Sequence, residues 1–370
     1  MKKILTALLF AVILCTAAAC SPENQSDTLS GTEATTAAAS VTDEVKEQMD
    51  NVLEGRKFKG IVSLTKNGEV VYQYVNGKDK DENDLTIGSS MYIGSTSKQF
   101  CAASIIMLRD KGKLSVDDTL DKYFPEYEEG KKLTIKNLLT MRSGILDMVN
   151  EAQLEEVNYE NTAEENMDIV RKWIFSQPLK FEPDSEYAYS NSNFFLLSEI
   201  VKQVSGMSYH DFVRENIFEP LGMSHSGFIE DVTDDPVWAD GLKREEGNKP
   251  INPQGLPTGA GDIASNAADM DLWMAGLSDG TIVSEESYKE MIKDYSPESS
   301  TRYGYGLMGM AYDGIGHVGS IGTYNALDYI NKDHGFRLFI ASNKASSQSY
   351  IESLPTVLLK DLIEEKGDIE

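Results

Sequence analysis

The stretch Tyr92-Ile93-Gly94-Ser95-Thr96-Ser97-Lys98-Gln99-Phe100-Cys101-Ala102-Ala103-Ser104-Ile105-Ile106-Met107-Leu108 sets a glycine before a serine and a lysine. It then continues with helical apolar spacing as far as Gly112. Residues three apart share one face of a helix, so the Ser95 hydroxyl and the Lys98 amine can meet. A lysine among apolar neighbours loses basicity until it can take a proton at neutral pH, which is how a plain serine becomes a nucleophile. The plainer use of Ser95 is as a helix N-cap, although a capping box would want Glu or Gln where Lys98 stands. Ser-x-x-Lys is weak by itself: Ser63 and Lys66 repeat it in a strand, where residues three apart point to opposite faces.

Outward from this stretch, Gly60-Ile61-Val62-Ser63-Leu64-Thr65, the turn Asn67-Gly68 and Glu69-Val70-Val71-Tyr72-Gln73-Tyr74-Val75 read as a hairpin. The next strand signals lie at 304–310, 314–318, 324–330 and 336–342. Helical signals fill the interval, at 98–111, 134–140, 163–176, 193–205 and 209–217. Strands at both ends with helices between predict an α+β fold: one antiparallel sheet built from N- and C-terminal strands, flanked by helices, with a mostly helical insertion over about 113–300.

Residues 1–19 open with Lys2 and Lys3, continue almost wholly apolar and end in small residues before Cys20, the layout of a secretory signal peptide. Ala17-Ala18-Ala19-Cys20 is similar to a bacterial lipobox, with Ala17 where leucine is usual, so lipidation of Cys20 is expected and ordinary signal cleavage is the alternative. Residues 20–42 are rich in Ser, Thr, Ala and acids and read as a disordered tether, leaving 43–360 for the folded domain. The protein is therefore expected to be exported, with membrane attachment only through a lipid on Cys20. Thirty-four basic against sixty acidic residues give a formal charge of −26, which repels nucleic acid. No disulfide framework exists; Cys101 reads as a small buried thiol.

Tyr-x-Asn occurs at Tyr74, Tyr159, Tyr189 and Tyr329. Only Tyr189-Ser190-Asn191 follows a turn, Pro183-Asp184-Ser185, and directly precedes an apolar helix, a corner from which side chains can be aimed into a cleft. His317-Val318-Gly319-Ser320 ends a strand signal. Gly319 there would let a substrate backbone lie close to the strand edge, where acyl transfer wants a donor N–H. None of the four histidines has metal-ligand spacing with another, so no metal or cofactor is expected. An α/β-hydrolase would need a Gly-x-Ser-x-Gly elbow, which this chain lacks. The loops 147–165 and 231–257 carry no recognisable pattern.

Taken in order, Ser95-x-x-Lys98, Tyr189-x-Asn191 and His317-x-Gly319 closely resemble the serine β-lactamase and penicillin-binding protein family. That family holds class C β-lactamases, D-alanyl-D-alanine carboxypeptidases and esterases. Supporting phrases are Leu133-Thr134-Ile135-Lys136-Asn137-Leu138-Leu139-Thr140, Pro220-Leu221-Gly222-Met223 and Gly261-Asp262-Ile263-Ala264-Ser265 before Asp269, and the similarity runs from about Lys57 to Asn343. The resemblance implies a β-lactamase/transpeptidase-like fold and an acyl-enzyme formed on Ser95. It implies general-base work shared by Lys98 and Tyr189, and Asn191 bonding both Lys98 and the substrate amide. Main-chain N–H groups of Ser95 and Ser320 would form an oxyanion hole, with His317 lining the opposite wall and Gly319 among the substrate-binding residues.

The chain departs from the family at Met141, where histidine is common, and at Asp184, where glycine is. It departs again at His317, where the β-lactamases carry lysine. Histidine looks more like the carboxypeptidase and esterase branches; partly charged at neutral pH, it would hold a substrate carboxylate less well as pH rises. The implied function is an exported serine hydrolase acting on D-amino-acid peptides of cell-wall origin. A β-lactamase or small-ester esterase is the alternative, and a non-catalytic lipid-anchored sensor a third. The expected partner is a small peptide, lactam or ester.

Overall fold

The computed structural model describes residues 41–364 apart from 80–81, 151–153, 155, 159, 229–254 and 256–257. The expected leader, Cys20 and all but the last two residues of the expected tether lie outside the described residues, as does most of the 231–257 loop. Helix α1, Asp43–Gly55, starts on the Thr42 hydroxyl, which accepts from Val45 N. Strands β1 (Gly60–Lys66) and β2 (Glu69–Asn76) then pair antiparallel. Their turn uses positive φ at Asn67 (50°) and Gly68 (88°), the pairing that an Asn-Gly hairpin turn supplies without strain.

Two short strands follow, β3 (Met91–Tyr92) and, much later, β4 (Gly227–Phe228), with β5 at Ile263–Ser265. The chain closes with β6 (Met308–Gly309), β7 (Ile315–Ile321), β8 (Tyr324–Asn331) and β9 (Phe336–Ser342). The main sheet has the order β2-β1-β9-β8-β7-β6, so β1 from the start of the domain lies beside β9 from its end, as expected. Side chains alternate across it: Ile61, Phe339 and Ala341 enter the core shared with the inserted helices. Val62, Leu64, Leu338 and Ile340 enter a second core with Met49 and Leu53 of α1 and with Leu354 and Leu358.

Helix α2 (Lys98–Asp110) precedes the insertion, which supplies α3 (Ile135–Leu139), α4 (Ala163–Ser176), α5 (Asn191–Ser205), α6 (Tyr209–Val213), α7 (Glu219–Leu221) and α8 (Ala267–Ser278). Helix α4 has the expected bounds, set by a Thr162–Glu165 capping box. The expected helix over 209–217 instead changes after Val213 into a π turn at Arg214–Phe218. The expected strand over 304–310 shrinks to β6, because Gly304 and Gly306 lie against the main chain of Met291 and Lys98, where no side chain fits. A second sheet, β3-β5-β4, was not foreseen; it fixes the chain just before Ser95 through Met91↔Ser265 and Tyr92↔Ala264. Helices α2 and α5 pack together and bring Lys98 and Asn191, at their N-terminal ends, into contact.

Candidate active site

Ser95 sits in a 3-10 turn, Gly94–Ser97, rather than within the helix proper, and Lys98 begins α2. The capping role for Ser95 is not taken up: Ser97 occupies the N-cap position, and Ser95 Oγ instead accepts from Lys98 Nζ at 3.1 Å. The turn is pressed against β7 through two glycines. A Cβ on Gly94 (φ +50°) would lie 2.7 Å from Ser320 N, and one on Gly319 would lie 1.9 Å from Ile93 O and 2.8 Å from Ser95 N. The space on the Cβ side of Gly319 is therefore filled by the protein's own chain. The same interlock puts the main-chain N–H groups of Ser95 and Ser320 on facing segments. Ser320 Oγ is spent on Asn325 Oδ1 at 2.6 Å.

Lys98 is fully buried. Its Nζ lies 3.1 Å from Ser95 Oγ, 2.8 Å from Asn191 Oδ1 and 2.6 Å from Ala260 O, and 5.0 Å from the centre of the Tyr189 ring. Burial pushes its pKa from 10.5 down to about 7, against the opposing pull of Asp147, Cys101 and Asp262. As an ammonium, Nζ donates to all three oxygens. As an amine it keeps two N–H bonds, which the pure acceptors Asn191 Oδ1 and Ala260 O can both take, and the lone pair is left facing the Ser95 hydroxyl.

Tyr189 Oη is buried with no hydrogen bond of ordinary geometry. Burial raises this phenol far above its usual range, and only the nearby Ser95 hydroxyl works against the rise. Its ring lies 6.3 Å from Tyr303 and 6.1 Å from His317. Asn191 opens α5, and its side chain reaches both Lys98 and the buried carboxylate of Asp147. The structure thus brings Ser95, Lys98, Tyr189, Asn191, His317 and Gly319 to one place.

His317 differs from expectation in charge. Nδ1 lies 2.6 Å from the Val318 carbonyl, which can only accept, so Nδ1 carries the proton; Nε2, 3.4 Å from Tyr303 Oη, is then the acceptor. Burial, aided by the Lys98 charge, pushes its pKa down to about 3. The imidazole is neutral at physiological pH and cannot serve as a cation for a substrate carboxylate. Long-range 1H–15N spectra should show His317, assigned through His317→Gln, holding the Nδ1–H tautomer unchanged from pH 8 to 5; titration near 6.5 would contradict the burial argument.

Asp147 and Asp328 carried no sequence signal, whereas Asp262 lies in the family-like phrase 261–265. Asp147 lay in a loop with no pattern. Asp328 faces His317 across β7 and β8; its Oδ1 accepts from His317 N at 2.9 Å and from Gln99 Nε2 at 2.6 Å, while Gln99 Oε1 accepts from Trp273 Nε1 at 3.2 Å. Burial lifts Asp328 to about 7. Asp262 accepts from Gly259 N and contacts His210, holding the turn whose Ala260 carbonyl meets Lys98. The two local departures are absorbed in place. Met141 Sδ accepts from Ser190 N and Asn193 Nδ2, and Asp184 takes φ +66°. Among the described residues no group of three or more His, Cys, Asp or Glu could hold a metal ion.

This fold, with a buried lysine set on a serine between sheet and helices, is that of a serine hydrolase of β-lactamase/transpeptidase type. The chain belongs to the Beta-lactamase family, whose sequence model matches residues 42–361. It is 32% identical over 306 residues to "Putative penicillin-binding protein PbpX" of Bacillus subtilis (strain 168), across 80% of this chain and 73% of that protein. The octameric penicillin-binding protein homologue from Pyrococcus abyssi superposes with a TM-score of 0.70 at 28% identity, covering 86% of this chain and 76% of that one. D-amino acid amidase from Ochrobactrum anthropi SV3 shares the fold, with a TM-score of 0.72 at 23% identity over 87% of this chain and 99% of that one.

Proposed function

We propose that the chain is an exported hydrolase that acylates Ser95, most directly a D-alanyl-D-alanine carboxypeptidase-like or related D-amino-acid peptidase. The observation that carries this reading is the fully buried Lys98 amine 3.1 Å from Ser95 Oγ, whose burial pushes its pKa down to about 7. Lys98 Nζ takes the hydroxyl proton as Oγ bonds to the carbonyl carbon. The carbonyl π pair moves onto oxygen, where the N–H groups of Ser95 and Ser320 hold it; single donors of this kind are worth about 3–4 kcal/mol. Collapse of the tetrahedral centre expels the leaving group, which takes the proton from Lys98 through the Tyr189 phenol. Water then attacks the Ser95 ester and gives a proton to Lys98; collapse of this second tetrahedral centre breaks the acyl C–Oγ bond, releases the carboxylic acid product and returns the proton from Lys98 to Oγ.

Burial supports Lys98 rather than a tyrosinate as the base, because it disfavours the charged form of both groups. Tyr189 Oη, beside the Ser95 hydroxyl and without a hydrogen bond of ordinary geometry, is placed to bond the leaving atom. Export rests on the leader at 1–19 and on Cys20, and labelled palmitate should enter the wild type but not Cys20→Ala. The neutral His317 favours one second reading, turnover of esters or amides that lack a free carboxylate. A class C-type β-lactamase would use the same machinery.

Intact-mass analysis of wild type and Ser95→Ala, exposed to penicillin, a D-Ala-D-Ala peptide and a nitrophenyl ester, tests the proposal. An acyl adduct or turnover confined to the wild type is expected, and the probe that reacts fastest assigns the substrate class. A wild type inert to every probe would overturn the reading.

A further inference from the structure

Asn191 sits between two opposite charges. Its Oδ1 is 2.8 Å from Lys98 Nζ, and its Nδ2 is 3.1 and 3.2 Å from the two carboxylate oxygens of Asp147. An ammonium only donates and a carboxylate only accepts, so one of the two amide orientations satisfies both neighbours and the other satisfies neither. Asp147 Oδ1 also accepts from Asn191 N at 3.0 Å. That contact fills a gap in α5, whose N-cap residue Ser190 supplies no side-chain acceptor to the helix start. Asp147 is itself fixed: it is 4% exposed and accepts from Val149 N and Asn150 Nδ2. On either side of it, Leu146 O accepts from Ser192 Oγ at 2.6 Å and Met148 N donates to the same hydroxyl at 2.9 Å.

We propose that Asp147 is a positioning residue for the Ser95 reaction, holding the Asn191 amide against Lys98 and acting on that base through Asn191 and through its own charge. The proposal rests on Lys98 being the base. Asp147 forms no hydrogen bond with Lys98 or Ser95, yet its carboxylate favours the ammonium form of Lys98. The other titratable groups around Lys98 are Cys101 on its own helix, Asp262 beside β5, Tyr189 ahead of α5 and His317 on β7. Removing the Asp147 charge lowers the proton affinity of Lys98, while loss of the fixed amide orientation slows its use. The first effect moves the acid limb along the pH axis and the second lowers the plateau, a pair of changes that a merely structural residue would not produce.

The test is the acylation rate with labelled penicillin from pH 5.5 to 9 in wild type, Asp147→Asn and Asp147→Glu, with urea midpoints measured alongside. In Asp147→Asn the plateau rate should fall at least about 10-fold. Its acid limb should move down by about 0.5 pH unit or more. Asp147→Glu keeps the charge and displaces the oxygens, so its limb should stay while its plateau falls. An Asp147→Asn limb and plateau at wild-type values, or a loss of stability alone, would overturn the proposal. Should the wild type take no acyl group, the reading of Ser95 fails separately. The proposal is then decided by 13Cε-lysine titration of Lys98, assigned through Lys98→Met: a lower midpoint in Asp147→Asn supports it and an unchanged midpoint overturns it.

Discussion

Lys98→Met should slow acylation of Ser95 by about 10²–10⁴-fold, the range that a positioned general base contributes. The variant removes the lone pair that faces the Ser95 hydroxyl and leaves Asn191 Oδ1 and Ala260 O without their shared donor. An unpaired buried acceptor costs about 1–3 kcal/mol, but methionine also removes a cation that burial already disfavours. The two effects oppose, so the urea midpoint should change far less than the rate. Stopped-flow acylation with an activated ester reads the first quantity and equilibrium unfolding the second. A variant that acylates within threefold of wild type would remove Lys98 from the proton path.

Gly319→Ala should damage both stability and rate. The added methyl would fall 1.9 Å from Ile93 O and 2.8 Å from Ser95 N, against main chain that is buried and cannot swing aside as a side-chain tip could. Overpacking of this kind costs about 1–3 kcal/mol. Relief requires moving the 93–95 segment, and a 1 Å displacement of a reacting group can cost about 100-fold in rate. Gly55→Ala is the matched control: nothing lies within 4 Å of its Cβ position at the end of α1, so stability should hold or rise slightly. Equal behaviour of the two variants would show that the glycine interlock between β7 and the Ser95 turn is not tight.

The parts of the fold that could be read from sequence are those with local causes. Asn67-Gly68 dictates its hairpin turn, Thr162 and Glu165 set the start of α4, and Gly206, at φ +78°, ends α5. What escaped has non-local causes. Strands β3, β4 and β5 are two or three residues long, too short for any period to show, and exist only because their partners arrive from distant segments. Helix α8 buries Met270, Trp273, Met274 and Leu277 without a clean polar face, so its sequence does not separate a helix from a buried strand.

The same division runs through the site. Ser95 and Lys98 are set apart from the Ser63–Lys66 repeat by their place at the start of a helical run, whereas Tyr189, Asn191 and His317 needed their order along the chain to be recognised. Asp147 and Asp328 are invisible because their importance lies in Asn191, His317 N and Gln99, each brought to them by folding. The neutral charge of His317 was misjudged for a related reason. Residue type gives an imidazole its ordinary pKa, but only the packed Tyr303, Val318 and Lys98 decide which form survives.

The account turns on an amine at Lys98 that is available near neutrality. The most direct measurement is the acylation rate of the wild type by a neutral activated ester from pH 5 to 10, using a probe whose charge does not change. The rate should rise to half its plateau near pH 7, the value to which burial brings Lys98. A half-maximum close to pH 10, where an ordinary lysine loses its proton, or a rate independent of pH, would contradict it.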